Sequence, residues 1–439
     1  MESVGAEQGQ INRSNDASFD IENPHAPLIN SMEKELESLS PLSPGCSIYR
    51  VRERLRDGNE KAYTPQVVSI GPFHHGKNNL KAMEEHKMRY LKDFIQRTKE
   101  SMGLYINIVK EKEARLRACY AETIPFSSDE FVKIILVDAA FIIEVFLFSY
   151  FKELEEKNDR IFIKPWMKGD IWRDIILLEN QIPFFILEDL FDPDKLMVQS
   201  PHGDRLSLVE LSCNVFKQEM HLKETEDKLK KTCFSKVVHL VDLLRHLYLP
   251  SKEQNKRQLQ ISTTPTVTEL HRAGIKFKVA SSKNIFDIQF NEGILEIPKF
   301  VIRVKTELQI RNIIAFEQCH CTETYMNDYV VIMDRLANTA KDVDLLSKYG
   351  IVDKRGDNSE AATLINRLSR GAMYSHENFY FASLSDDLNS YCRASWHEWK
   401  ANLKQNYFNT PWAVISFIAA VVLLLLTFTQ TVSSVISIS

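Results

Sequence analysis

Four acids stand among large apolar side chains: Asp138 and Glu144 within Lys133 to Phe151, and Asp174 and Glu179 near Ile171 to Asn180. Carboxyls in such surroundings are where raised pKa values and general acid–base pairs occur, and the same placement suits buried ion pairs or caps. Six helical positions separate Asp138 from Glu144, a rotation of about 240°, and five separate Asp174 from Glu179, so neither local pair shares a helix face. A catalytic pair would have to form between elements, for instance Asp138 with Glu179, and would serve a membrane-bound hydrolase. The competing expectation pairs each acid with an arginine or lysine for structural reasons. The chain has no GxSxG elbow, HExxH helix or Gly-rich dinucleotide turn.

Gly71 to Lys77 reads GPFHHGK, which matches the GxxxxGK phosphate-loop pattern and follows a strand-like run. Asn78 stands where that loop uses Ser or Thr to hold magnesium, and Pro72 deletes one backbone donor. The segment is therefore expected to be a structured turn built on Gly71, Pro72, His74, His75 and Gly76. Neither His74-His75 nor Cys319-His320-Cys321 has the spacing of a metal site, because adjacent side chains diverge on a helix or strand. No metal and no cofactor is expected. The seven cysteines are odd in number and resemble no extracellular framework, which fits reduced thiols.

The elements that would position these residues are mostly helices. Helical spacing covers Leu80 to Gln96, Lys133 to Phe151, Ile171 to Asn180 and a helix starting near Pro183, with a tight corner between the last two. Further helices are predicted over Tyr325 to Tyr349, Glu360 to Arg370 and Leu384 to Tyr407. Thr266 with Glu269, and Thr306 with Gln309, are capping-box candidates, Gly274 can end the first of those helices, and Glu307 lies four residues before Arg311. Ile275 to Val279, Ile285 to Phe290 and Ile294 to Ile297 alternate apolar and polar residues, and Asn291-Glu292-Gly293 joins the last two as a hairpin. Tyr63 to Gly71 reads as an extended segment. The fold class is mainly α with a minor β-hairpin or sheet element. Residues 1–45 form a polar tail expected to be largely disordered, with one short helical candidate at Ser31 to Leu39. Residues 46–404 form the main domain, with a loop at about 251–264.

After Lys404 no charged side chain appears, and Pro411 to Phe428 reads PWAVISFIAAVVLLLLTF. A bilayer core needs roughly 20 helical residues with every amide bonded internally, so residues 411–431 are expected to form one transmembrane helix. Trp396, Trp399, Tyr407 and Trp412 would mark the membrane interface, and Arg393, Lys400 and Lys404 on the N-terminal side put the bulk in the cytoplasm. A span this close to the end implies post-translational, tail-anchored insertion. The alternative is a terminal core helix, and the aromatic crowding equally suits a partner-binding surface. Lys133 to Phe151 is also apolar, but Asp138 and Glu144 would each cost about 2–3 kcal/mol in a bilayer, so a buried soluble helix is expected there. Residues 1–20 resemble neither a signal nor a transit peptide. Across the 439 residues, 55 basic side chains nearly balance 59 acidic ones. No whole-molecule field favours nucleic acid as a partner.

Seven blocks in order resemble a plant family known as domain of unknown function 247, or uncharacterised protein family 0481. They are AYTPQVVSIGPFHHGK, VDAAFIIEVF, DIILLENQIPFFILEDLF, TELHRAGIKFK, LEIPKFVIRVKTELQIRNIIAFEQC, MDRLANTAKDVDLL and WHEWKANLKQNYFNTPWAVISFIAA. The resemblance runs from about Ile48 to the end and implies a plant protein with one C-terminal membrane helix and no established chemistry. Some grass members are linked to self-incompatibility, which implies recognition or signalling through a protein partner. Arg52 departs from a frequent proline, and Ala139-Ala140 from a common Gly-Cys, which excludes a nucleophilic cysteine there. A tail-anchored recognition or signalling scaffold, not an enzyme, is the function expected.

Overall fold

The computed structural model describes residues 25–38, 45–57, 59–154, 159, 161, 164–196, 205–220, 237–250, 258–260, 263–303, 305–394 and 411–438. The chain divides into Met1–Leu42, in which Ala26–Ser38 is helical, and Ser43–Ser439, which carries the core. The observed N-terminal helix is longer than the Ser31 to Leu39 candidate.

The main unit is organised around the helix Ser128–Tyr150. Ser127 starts it with a capping box, its hydroxyl accepting from the Glu130 amide while the Glu130 carboxylate accepts from the Ser127 amide. Every residue from Phe131 to Ser149 except Lys133 is buried. A helix apolar on all sides must be enclosed, and here Lys81–Thr98, Met102–Glu111, Phe184–Leu190 and Leu208–Met220 enclose it. Phe146 stacks on Trp172 at its C-terminal half, and Phe216 meets both rings edge-on.

The helix expected to run to Asn180 covers Pro165–Ile175 and stops there. Its last carbonyls are taken by side chains of the following corner. Asn180 Nδ2 donates to Asp174 O, Gln181 Nε2 donates to Ile175 O and Leu177 O, and the Leu178 amide turns away to Asn312 Oδ1. Pro183 then opens Phe184–Leu190, as its fixed φ suits.

In the C-terminal half, Thr266 and Glu269 form the expected capping box, and Gly274 with φ +89° follows the helix Val267–Arg272. Strand β1 is Lys276–Val279, β2 is Gln289–Asn291 and β3 is Ile294–Ile297. The hairpin β2–β3 turns on Glu292 and Gly293, both at positive φ. Two parallel pairings, β1 with β3 and β4 (Phe300–Ile302) with β5 (Val352–Lys354), had no counterpart in the sequence pattern. The Thr306–Gln309 capping box does not form. Lys305 precedes the helix Thr306–His320, the Thr306 hydroxyl donates to Val301 O and accepts from the Arg303 amide, and Gln309 turns to Tyr248 and Met220. Glu307 and Arg311 do pair, at 2.9 Å. The stretch Tyr325 to Tyr349 is two helices, Tyr325–Leu336 and Ala340–Lys348, because Thr339 caps the second with Asp342. Asn358–Arg370 and Ala382–Arg393 follow, and the rest of the expected Leu384 to Tyr407 helix lies outside the described residues. So does most of the 251–264 loop, although Leu259 is buried and Thr264 donates to Ser385 Oγ.

Pro411–Ile438 is a continuous helix, and among the described residues it is the one long and apolar enough to cross a membrane.

Candidate functional site

Gln66 to Gly71 is neither helix nor strand, with bends at Gln66, Val67 and Gly71, and pairs with no strand among the described residues. Its backbone is bonded by side chains instead, and three of the four acids are part of that support or adjoin it. The amides of Gln66, Val67 and Val68 donate to the Asp174 carboxylate at 2.7–3.1 Å. Ile70 donates to Asn180 Oδ1 at 2.8 Å, and Gly71 to Asp138 Oδ2 at 2.7 Å. In return Val68 O accepts from Asn180 Nδ2, and Ser69 O from Lys87 Nζ. Buried main-chain groups must be paired, and here carboxylates and amides do what a neighbouring strand would do in a sheet.

Lys87 has no solvent exposure, and it contacts Ser69 O, Asp138 Oδ1 at 2.5 Å and Glu84 Oε1 at 2.7 Å. Burial works to lower its pKa, but the Asp138 and Glu84 carboxylates outweigh that and hold it above the ordinary value. Burial pushes the Asp138 carboxyl up to about 6 against the pull of Lys87, and Asp174 up to about 6 against its three amides. Sequence reasoning missed Lys87. The signal was present, since Met83, Lys87, Tyr90, Leu91 and Phe94 share one helical stripe and are all buried.

Glu179 gathers a second set of partners. It accepts from the Val51 amide at 2.6 Å and from Arg56, with Arg50 Nη1 at 3.6 Å and His74 Nε2 at 3.2 Å. Burial raises its carboxyl, and His74, Val51 and Arg56 together bring it below the ordinary value. Glu144 is held by Arg97, whose Nε and Nη2 each lie 3.0 Å from one of its oxygens. All four acids are at most 1% exposed, and no hydrogen bond joins any two of them among the described residues. Asp138 and Glu144 share one helix but serve opposite partners, as the rotation between them requires.

The Gly71 to Gly76 turn closes on itself. Gly71 has φ +72°, and a Cβ there would lie 2.4 Å from Gln181 O, so no other residue fits. The amides of His75 and Lys77 donate to Pro72 O and His74 O, and Gly71 N–H is taken by Asp138. Those amides therefore face no phosphate. His74 is buried and desolvation lowers its pKa, whereas His75 stands edge-on to Phe126 with Nδ1 3.9 Å from Glu84. A depression of about 770 Å³ lies over residues between Glu53 and Lys61, all polar or charged, and none of the four acids lines it.

At Cys319-His320-Cys321, the His320 ring stacks on Phe316 and meets the Tyr49 hydroxyl at 3.3 Å. Among the described residues no group of three or more His, Cys, Asp or Glu side chains is arranged to hold a metal. The six described cysteines are free, and burial pushes the Cys321 thiol up to about 12 and Cys119 to about 11, which keeps both protonated.

The sequence profile of DUF247, a plant protein family of unknown function, matches residues 48–426. The chain belongs to this family. Two curated relatives come from Arabidopsis thaliana. UPF0481 protein At3g47200 is 29% identical over 422 residues, 89% of this chain and 87% of that protein. Putative UPF0481 protein At3g02645 is 24% identical over 502 residues, 93% of each chain. No solved structure matches.

The DUF247 match begins at Ile48, whose bridge to Tyr120 starts the ordered body, and ends inside the C-terminal helix. Arg52 has φ −60°, which proline also adopts, so the departure from proline requires no change of backbone. Ala139 and Ala140 are fully buried against the core. Other buried polar residues of the DUF247 body were not singled out from sequence. Asn312 joins the Leu178 amide to Ala62 O, and Glu317 accepts from Arg245 and from the amides of Met326 and Asn327. His239 Nδ1 accepts from the Asp242 amide, so Nε2 carries the proton and donates to Ser47 O at 3.1 Å, and burial lowers its pKa to about 4. Of the expected interfacial aromatics, Trp412 is 77% exposed on the apolar helix, and Trp396, Trp399 and Tyr407 lie outside the described residues.

Proposed function

We propose that this DUF247 protein is a membrane-tethered recognition or signalling scaffold, held in the bilayer by residues 411–431 with its bulk on the cytoplasmic side. The observation that carries the reading is the contrast between two apolar helices. Ser128–Tyr150 is enclosed by the body, whereas no residue of Val414–Thr431 is buried. An uncovered helix of that length and apolarity is stable in lipid and a liability in water. Arg393, Lys400 and Lys404 precede it, which favours the cytoplasmic side for the bulk. Trp396, Trp399, Tyr407 and Trp412 would then lie at the headgroups. The protein takes membrane lipid as one partner and a protein as another, with no cofactor, metal or nucleic acid in its chemistry.

The hydrolase alternative finds no support in the acids. Each is closed off with its own cation or amides, which is the arrangement of structural carboxylates. The test is carbonate extraction of membranes bearing the full chain or a chain ending before Pro411, with protease treatment of sealed microsomes for orientation. The full chain should stay with the membrane and the shortened one should leave it, and protease should digest the body. Retention of both, or protection of the body, would overturn the assignment.

A further inference from the structure

We propose that the apolar helix is matched to a thin bilayer, one whose hydrocarbon core is about 27 Å as in the endoplasmic reticulum, and not to the thicker plasma membrane. The inference rests on the tether in the scaffold reading and deepens it by naming the kind of lipid partner.

Pro411–Ile438 is 28 residues long, which at a rise of about 1.5 Å per residue is about 42 Å of helix. Less of it than that suits hydrocarbon. Its N-terminal stop is Trp412, whose indole carries an N–H that finds an acceptor among headgroups, and Asn409 and Thr410 stand just before the helix. From there to Leu426 the one polar side chain is the small hydroxyl of Ser416. Polar residues return at Thr427, but three threonines bond back to their own helix. Thr427 donates to Leu423 O, Thr429 to Leu426 O and Thr431 to Thr427 O, each at 2.8 Å. Hydroxyls satisfied in this way can lie in lipid at little cost.

Gln430 is different. Its amide has two N–H donors and an acceptor, more than one helical turn can satisfy, so burying it in hydrocarbon leaves hydrogen bonds unmade. Trp412 and Gln430 are separated by 18 residue steps, and the reach between them is about 27 Å. Tilt shortens that reach and nothing lengthens an α-helix. A core of about 32–33 Å would therefore have to thin around the helix or take in one of its polar ends.

The experiment offers the full chain an equal mixture of two vesicle populations, one of dioleoyl- and one of dierucoyl-phosphatidylcholine, whose chains are four carbons longer. Inserted protein is counted in each population after a carbonate wash. The shorter lipid should hold about fivefold more. Gln430→Leu removes the C-terminal stop and lengthens the apolar stretch by about one turn, so the ratio should fall toward one. Ala420→Leu adds apolar surface without length and should leave the ratio unchanged. The melting temperature of the body should be the same in all three proteins. Equal insertion of the unaltered chain, its preference for the longer lipid, or a ratio that ignores Gln430→Leu would overturn the inference while the tether stands. Insertion into neither lipid would overturn both. In plant cells the unaltered chain should fractionate with the endoplasmic reticulum, and its recovery in the plasma membrane would likewise overturn the match.

Discussion

Two helices of this protein are built from the same kinds of residue and meet opposite surroundings. Ser128–Tyr150 carries Asp138 and Glu144 and is buried almost throughout, while Pro411–Ile438 carries no ionisable side chain and has no buried residue between Val414 and Thr431. Apolarity does not separate them, and their charges do. A protein interior tolerates a carboxylate where it also supplies a lysine, an arginine or a row of amides, as Lys87, Arg97 and Gly71 do here. Lipid supplies none of these, so a helix destined for it has to be bare.

The comparison breaks most severely at Lys87. Lys87→Met leaves Asp138 buried with one amide and removes the donor to Ser69 O, and the body should lose about 3–5 kcal/mol of stability. Guanidinium unfolding of the detergent-solubilised chain would measure it. The double variant Lys87→Met/Asp138→Leu should recover part of the loss, since no fully buried charge then remains unpaired, while Ser69 O and the Gly71 amide still lack their partners. An undisturbed single variant would mean that the ion pair is not what makes the helix tolerable. The reciprocal change puts a charge on a helix that has no ionisable side chain of its own. Leu424→Lys should disfavour insertion by about 3 kcal/mol, seen as a larger carbonate-extractable fraction with an unchanged melting temperature of the body. If Leu424→Lys stays fully inserted, the helix has partners of its own in the membrane.

How much of this was legible depended on how far apart the interacting residues lie in the chain. The two apolar helices, the hairpin at Glu292-Gly293 and the Thr266 capping box follow from local periodicity and turn chemistry, and each was readable. The buried acids were recognised as unusual, but their work was not. That Asp174 holds the amides of Gln66 to Val68 is a contact across the fold, and nothing in either segment names the other. The parallel pairings fail for the same reason, since Phe300 meets Val352 with three helices between them. Gly71 was read as part of a turn, while the close approach of Gln181 O that demands glycine appears only in three dimensions.

His239 sharpens the comparison by showing that the interior matches a polar group in one charge state only. Its two nitrogens fit one acceptor and one donor, so the neutral ring is satisfied and the cation is not. The unfolded ring takes a proton near pH 6.5 and the folded one resists until about 4, so the unfolded state binds more protons in between and stability falls as pH falls. From pH 7 to pH 5 the loss from this group is about 2 kcal/mol. Asp138 and Asp174, raised to about 6, act in the opposite direction, so the informative quantity is a difference between proteins. In His239→Asn, whose side-chain oxygen can still accept from Asp242, stability should decline less between pH 7 and pH 5 than in the unaltered chain. Parallel declines would place the acid sensitivity elsewhere.

The smallest effect is expected where water can stand in for the missing partner. Thr339 caps Ala340–Lys348, its hydroxyl accepting from the Asp342 amide while the Asp342 carboxylate accepts from the Thr339 amide. It also divides what sequence periodicity takes for one helix, and its aspartate stands where the usual box has glutamate or glutamine. Asp342 reaches further to the Thr268 amide, so the cap ties two helices together. Thr339→Ala removes one acceptor at a site that is only partly enclosed, and should lower stability by about 1 kcal/mol. Asp342→Ala deletes the partner of three groups, so thermal unfolding should rank it clearly below Thr339→Ala. Equal losses would mean that the contact with Thr268 adds nothing, and that burial of a polar group matters less in this body than the helix Ser128–Tyr150 suggests.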